Sequence, residues 1–206
     1  MLDRLNRETA TFHVDADRDL DSLFEASVSP GSYRTYLIRS YGFEAPLESA
    51  LALSAVLDQM LDLRSRARAG LIAQDLLRLG LRPAAVAELP MCLTVPQFRS
   101  TAEALGWMYV VERSSLAHSV IRRHLLTCMP EEMRTASSYL QSAGGLLGTR
   151  WRQYGDALDE IASHPAVADR IVSSAIEAFR CQRRWLVQER HEPVVIQPKR
   201  AAGSIL

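Results

Sequence analysis

Lysine is all but missing from this chain of 206 residues: Lys199 stands alone, and arginine supplies the rest of its 24 formal positive charges. Aspartate and glutamate also number 24, so no whole-molecule field draws in nucleic acid or an anionic membrane. Cysteine is scarce. Cys92, Cys128 and Cys181 are odd in number and far apart; they form neither a zinc pattern nor a disulfide framework, and they suggest a reducing compartment. No apolar run approaches the roughly 20 residues that span a bilayer, and Asp3, Arg4 and Arg7 leave no room for a signal-peptide core. The expectation is a cytoplasmic protein without a membrane segment. Strand-type alternation, internal repeats and low-complexity blocks are missing as well.

What the chain does have is apolar residues at every third or fourth position, the period of amphipathic helices. An all-α fold follows, and the length suits one domain with a substantial core. The first helix is expected from Leu2 to Phe24, with a bend near Val14. Ser29 caps a helix that Pro30 opens and that runs to about Leu53. Another spans Leu63 to Leu79 and stops at Gly80. A short turn of helix links Arg82-Pro83 to Leu89-Pro90, and Pro96 opens a long segment to Leu126. Pro130-Glu131-Glu132 starts a short helix with acids at its positive end. Gly144-Gly145 breaks the chain before a helix from Leu147 to Ala162, and His164-Pro165 precedes a last one that ends near Gln188. Residues 1–188 thus read as the helical domain. From Glu189 onward two prolines and small residues replace the helical period, so 189–206 reads as a flexible tail or an arm packed on a neighbour.

One pair of residues carries a chemical suggestion. His13 and Asp17 are four apart on the first helix, so they share a face. There the carboxylate can accept the proton from the imidazole nitrogen that does not face a metal, which fixes the tautomer and strengthens the ligand. A solvated acidic face formed by Asp15, Asp17 and Asp19, with His13 beside it, is the alternative.

Leu5, Thr9, His13 and the acid at 17 match the L-xxx-T-xxx-H-xxx-[ED] opening of the heme oxygenase family, and the resemblance continues along the chain. Tyr33-xx-Tyr36-Leu37-xxx-Tyr41-Gly42-Phe43-xxx-Leu47-Glu48 resembles the second long helix of that family, and Asp75-Leu76-xx-Leu79-Gly80 the end of its third. The run from Ala102 to Glu112 is similar to the lead into its distal helix. Tyr139-Leu140, Gly148-xx-Trp151-Arg152, Ala178-Phe179 and Trp185 extend the likeness to about residue 188.

The resemblance implies a heme held by His13 as axial iron ligand, with Asp17 orienting it. It implies Arg152, or the nearby Arg150, on a heme propionate; Phe179 packed on the distal side; and Tyr109 and Tyr36 as sources of a distal hydroxyl. The sequence departs from the family at the distal helix. Where bacterial members read Y-V-x-E-G-S-x-L-G-G, this chain has Arg113, Ala117 and His118 in place of the three glycines. Glycine lets a backbone approach a ligand, and each replacement puts a side chain into that space. Either Arg113 and His118 fill the pocket, or the helix stands farther off and one of them reaches the distal side as a hydrogen-bond donor or sixth ligand.

Heme oxygenases open heme to biliverdin, carbon monoxide and iron, with the heme as both cofactor and substrate. No flavin or iron–sulfur signature is present, so electrons would come from an external reductase, a ferredoxin or a flavoprotein, for which Arg122-Arg123 and Arg183-Arg184 offer basic patches. The alternative is a heme oxygenase-like protein that has lost turnover and binds heme, another planar ligand or a protein partner. A thiaminase-like reading finds no suitable cysteine and acidic pair.

Overall fold

In the computed structural model, which describes residues 1–188, the chain is helical and has no strand among those residues. The tail expected from Glu189 lies outside them. The order is α1 (Leu2–Glu8), α2 (Ala10–Arg18), a 3₁₀ turn (Asp21–Leu23), α3 (Pro30–Ala52), α4 (Ala55–Met60), α5 (Leu63–Arg66), α6 (Ala69–Arg78) and α7 (Pro83–Ala87). Then come α8 (Thr101–Ser114), a 3₁₀ turn (Ser115–Ala117), α9 (His118–Cys128), α10 (Pro130–Thr135), two further 3₁₀ turns (Tyr139–Gln141 and Gly144–Leu146), α11 (Leu147–Ile161) and α12 (Pro165–Gln188).

Two apolar clusters fill the interior among the described residues. One surrounds α8 and holds Leu5, Phe43, Leu105, Tyr109, Tyr154, Ile171 and Phe179. The other gathers Leu37, Ile72, Leu76, Ile121, Leu125 and Met133. Helix α3 serves both, its first half facing the second cluster and its later half the first. Helix α8 lies against α12 at Gly106, where an added Cβ would come within 2.5 Å of the Ile171 carbonyl oxygen.

Pro46 sits inside α3 without interrupting it. Proline has no N–H, so the Gly42 carbonyl loses its helical donor. The Cys92 N–H takes that carbonyl instead, at 2.8 Å. Gly42 also lets the Trp185 ring and the Pro90 carbonyl press onto α3, and the Trp185 indole donates to the Arg39 carbonyl at 3.0 Å.

Three boundaries differ from the sequence expectation. The first helix breaks at Thr9 rather than bending at Val14, and it ends at Arg18. The Thr9 hydroxyl donates back to the Leu5 carbonyl at 2.6 Å, a bond that competes with regular helix. The expected helix from Leu63 to Leu79 is divided, because the Glu48 carboxylate on α3 accepts the N–H groups of Arg68 and Ala69 and starts α6 there. The long segment expected from Pro96 begins at Thr101, where Ser100 caps Glu103 N at 3.3 Å and Glu103 reaches back to Arg99 N at 2.8 Å.

Candidate functional site

The break at Thr9 sets the start of α2 and so places His13. His13 Nε2 lies 2.8 Å from Thr9 Oγ1 and 3.3 Å from the Tyr109 hydroxyl. The Thr9 proton goes to the Leu5 carbonyl, and the Tyr109 proton goes to Asn6 Oδ1 at 2.7 Å. Both hydroxyls therefore accept from the imidazole, which puts the proton on Nε2 and the lone pair on Nδ1. Burial, followed by the nearby Arg113 charge, lowers the His13 pKa to about 4, so the ring is neutral at neutral pH. Phe179 flanks it with ring centroids 5.5 Å apart and stacks on Phe12 at 5.9 Å.

Asp17 does not make the contact to His13 expected of it. Its two carboxylate oxygens accept from the Arg113 guanidinium at 3.0 and 3.1 Å. The residue that takes a glycine position on the far wall has captured the acid, and Thr9, four residues before His13 instead of four after, holds the ring. Phe179 likewise lies beside His13 and not on the opposite wall.

Between α2, the first half of α3, the α8–α9 junction and the end of α12 is a cavity of about 330 Å³. Ala16, Asp17, Leu20, Tyr36, Arg113, Ser114, Ala117, Gln182 and Leu186 line it, and His13 stands one turn before Asp17, outside that lining. The α8–α9 junction bends over the cavity without glycine. Ser114 Oγ donates to the Val111 carbonyl at 3.0 Å and Ser115 Oγ to the Glu112 carbonyl at 2.6 Å, which draws the helix into its 3₁₀ turn.

The three residues that replace glycine part company. Arg113 and Ala117 line the cavity. His118 turns away into the core, 3% exposed, with its ring 4.5 Å from that of Tyr139. Among the described residues neither of its ring nitrogens has a well-formed hydrogen bond, and burial lowers its pKa to about 3 against a contact with the Tyr139 backbone. It is not on the cavity lining.

Arg150 and Arg152 are also elsewhere. Arg150 donates to the carbonyls of Ser142 (3.0 Å) and Ser65 (2.6 Å), and Arg152 is exposed on α11; neither lines the cavity. Besides Arg113, two cations of α12 stand against α2: Arg183 pairs with Asp15, and the Arg180 guanidinium lies 5.7 Å from the centre of the Phe12 ring. Their i,i+3 spacing was the available signal, but it also fits a solvated helix face.

Buried charge left no trace in the sequence pattern. On the other face of α8, Arg66 pairs with Glu112 at 3.0 Å and Arg68 with Glu44 at 3.1 Å, all four side chains at most 6% exposed. Tyr139 donates its hydroxyl to Glu44. A second cavity of about 460 Å³ is lined by these charges and by Leu47, Leu51, Met108 and Val111.

A sequence model of the heme oxygenase family matches residues 1–188. The chain belongs to the heme oxygenase family. Its structure is similar to that of the NO- and CO-bound heme oxygenase from Neisseria meningitidis, with a TM-score of 0.76 and 20% identity over 99% of this chain and 98% of that one. No curated protein matches the chain by sequence. As a heme oxygenase family member it has the all-α fold of its relatives, and no helix among its described residues is long and apolar enough to cross a membrane.

Proposed function

We propose that this heme oxygenase family member binds heme between α2 and the α8–α9 junction, with His13 as axial ligand, and degrades it oxidatively to biliverdin, carbon monoxide and iron. The observation that carries the reading is the state of His13: a half-buried imidazole, neutral at neutral pH, beside an apolar aromatic pair and next to a cavity. That donor chemistry fits a heme iron, which takes a neutral imidazole nitrogen. Ser114 and Ala117 keep the opposite wall small, and Arg39 on the cavity lining supplies a cation for a propionate, with Arg180 and Arg183 against α2 outside that lining. Bound heme would supply the iron that activates oxygen and the ring that is consumed, with electrons from a separate ferredoxin or flavoprotein reductase. The chain's own task is to present a neutral nitrogen, orient it through Thr9 and Tyr109, and exclude bulk water from the cleft.

A second reading, a heme oxygenase-like protein without turnover, is favoured by one observation. The Arg113–Asp17 pair spans the cleft and joins the helix of His13 to the opposite wall. Titration of the purified protein with hemin, followed by a reductant under air, separates the two. One-to-one binding with conversion to a biliverdin spectrum, lost in His13→Ala, supports the oxygenase. Stable binding without conversion supports the second reading, and no specific binding sinks both heme readings.

A further inference from the structure

We propose that Cys92 and Cys181 form a reversible intramolecular disulfide when the protein meets hydrogen peroxide. The two thiols are 89 residues apart in sequence, yet their sulfurs lie 3.6 Å from each other. The Thr94 hydroxyl completes a triangle at 3.3 Å from Cys92 Sγ and 3.1 Å from Cys181 Sγ. A disulfide needs about 2 Å between sulfurs. The remaining gap is small, and the segment that carries Cys92 is irregular chain between α7 and α8, free of a helix that would resist the shift.

The fold holds this approach in place from both sides. Pro46 frees the Gly42 carbonyl, which fixes the Cys92 backbone on α3. One turn after Cys181, Trp185 packs on Gly42. Both thiols are buried, but Leu93 beside Cys92 is 92% exposed, so the pair lies just under the surface. The two sulfurs are also chemically unequal. The hydrogen bond from Cys181 lowers the Cys92 pKa, whereas the same contact and burial raise that of Cys181. Cys92 is thus the thiol that gives up its proton more readily.

The step balances with peroxide as the oxidant. The Cys92 thiolate attacks one peroxide oxygen, the O–O bond breaks and hydroxide leaves, giving a sulfenic acid. Cys181 sulfur then displaces the sulfenic oxygen, which departs as water with the Cys181 proton. In sum two thiols and one hydrogen peroxide give one disulfide and two waters. The bridge would tie the 91–100 segment to α12, the helix that carries Phe179 beside His13 and Gln182 and Leu186 on the cavity wall. It does not depend on heme being bound.

The experiment treats the full chain with a small excess of hydrogen peroxide, quenches in acid, alkylates under denaturing conditions and maps the peptides by mass. The expected product is a cross-linked peptide joining Cys92 to Cys181, two hydrogens lighter than its parts, with Cys128 outside the cross-link, and dithiothreitol reverses it. Cys128→Ser should leave the cross-link intact, and Cys92→Ser should abolish it. Recovery of Cys92 and Cys181 as free alkylated thiols, oxidation of either without cross-linking, or pairing only through Cys128 would overturn the proposal. Because the decisive map is made on the unmodified chain, the result stands even where a variant folds poorly.

Discussion

Arg113 lines the cavity and ties α8 to α2. It stands where the family resemblance places a glycine, and its guanidinium takes the carboxylate expected to steady the imidazole. With the Asp17 side chain 58% exposed, the pair is worth only about 0.5–1 kcal/mol. Arg113→Gly should therefore tighten hemin binding several-fold in a titration followed at the Soret band; an unchanged dissociation constant would mean the pair does not oppose binding. The i,i+4 rule put a partner on the same face as His13, and the structure has one, but at i−4. Spacing alone could not choose between Thr9 and Asp17, since the choice depended on Arg113 drawing the acid away. His118 shows a second limit of sequence, because helix phase across the 3₁₀ turn decided its direction. Its unfolded pKa is about 6.5, and the folded value is about 3. Between those values the unfolded chain takes up a proton that the folded state refuses, so its contribution is complete above pH 6.5 and falls away as pH drops toward 3. His118→Leu should flatten the acid limb of the stability curve, measured by urea midpoints from pH 7 to pH 4, and leave hemin binding unchanged.

At the level of elements, some prolines and glycines read clearly, though Pro96 did not open α8 and Pro46 did not end α3. Ser29-Pro30 and His164-Pro165 open α3 and α12 where expected, and Gly80 lies just past α6 with φ of 91°. Ends set by distant carboxylates were illegible, as at α6, where the cap comes from Glu48 on another helix. A close packing of helices was hidden in Gly106, whose neighbours on α12 no local pattern reveals. Gly106→Ala would drive a methyl group into the Ile171 carbonyl and the Ala175 amide. Overpacking of this kind costs about 1–3 kcal/mol, and the thermal midpoint should fall by several degrees; an unchanged midpoint would show that α8 and α12 can part without penalty. The bend over the cavity was readable only as lost glycines. That two serine hydroxyls can draw a helix into a 3₁₀ turn follows from chemistry, but nothing marks Ser114 and Ser115 apart from other helical serines.

Over the whole molecule, the two apolar clusters are accompanied by a buried layer of paired charge, Arg66 with Glu112 and Arg68 with Glu44. Removing one partner leaves an uncompensated charge and costs about 3–5 kcal/mol, while replacing both is often neutral. Arg68→Met should destabilise by that amount in denaturant unfolding, and adding Glu44→Leu should recover most of the loss; equal losses in the single and double variants would refute the coupling. A different consequence follows from how the first and last helices meet. Arg4 bonds Asp169, Asp15 pairs with Arg183, and Phe12 stacks on Phe179, so α1 and α2 lean on α12. During synthesis the N-terminal helices emerge long before their supports do. The segment carrying His13 meets Tyr109 and Arg113 only when α8 has been made, 96 residues later, and meets Phe179 and Arg183 only with α12, which makes the cleft around it among the last parts of the described chain to take shape.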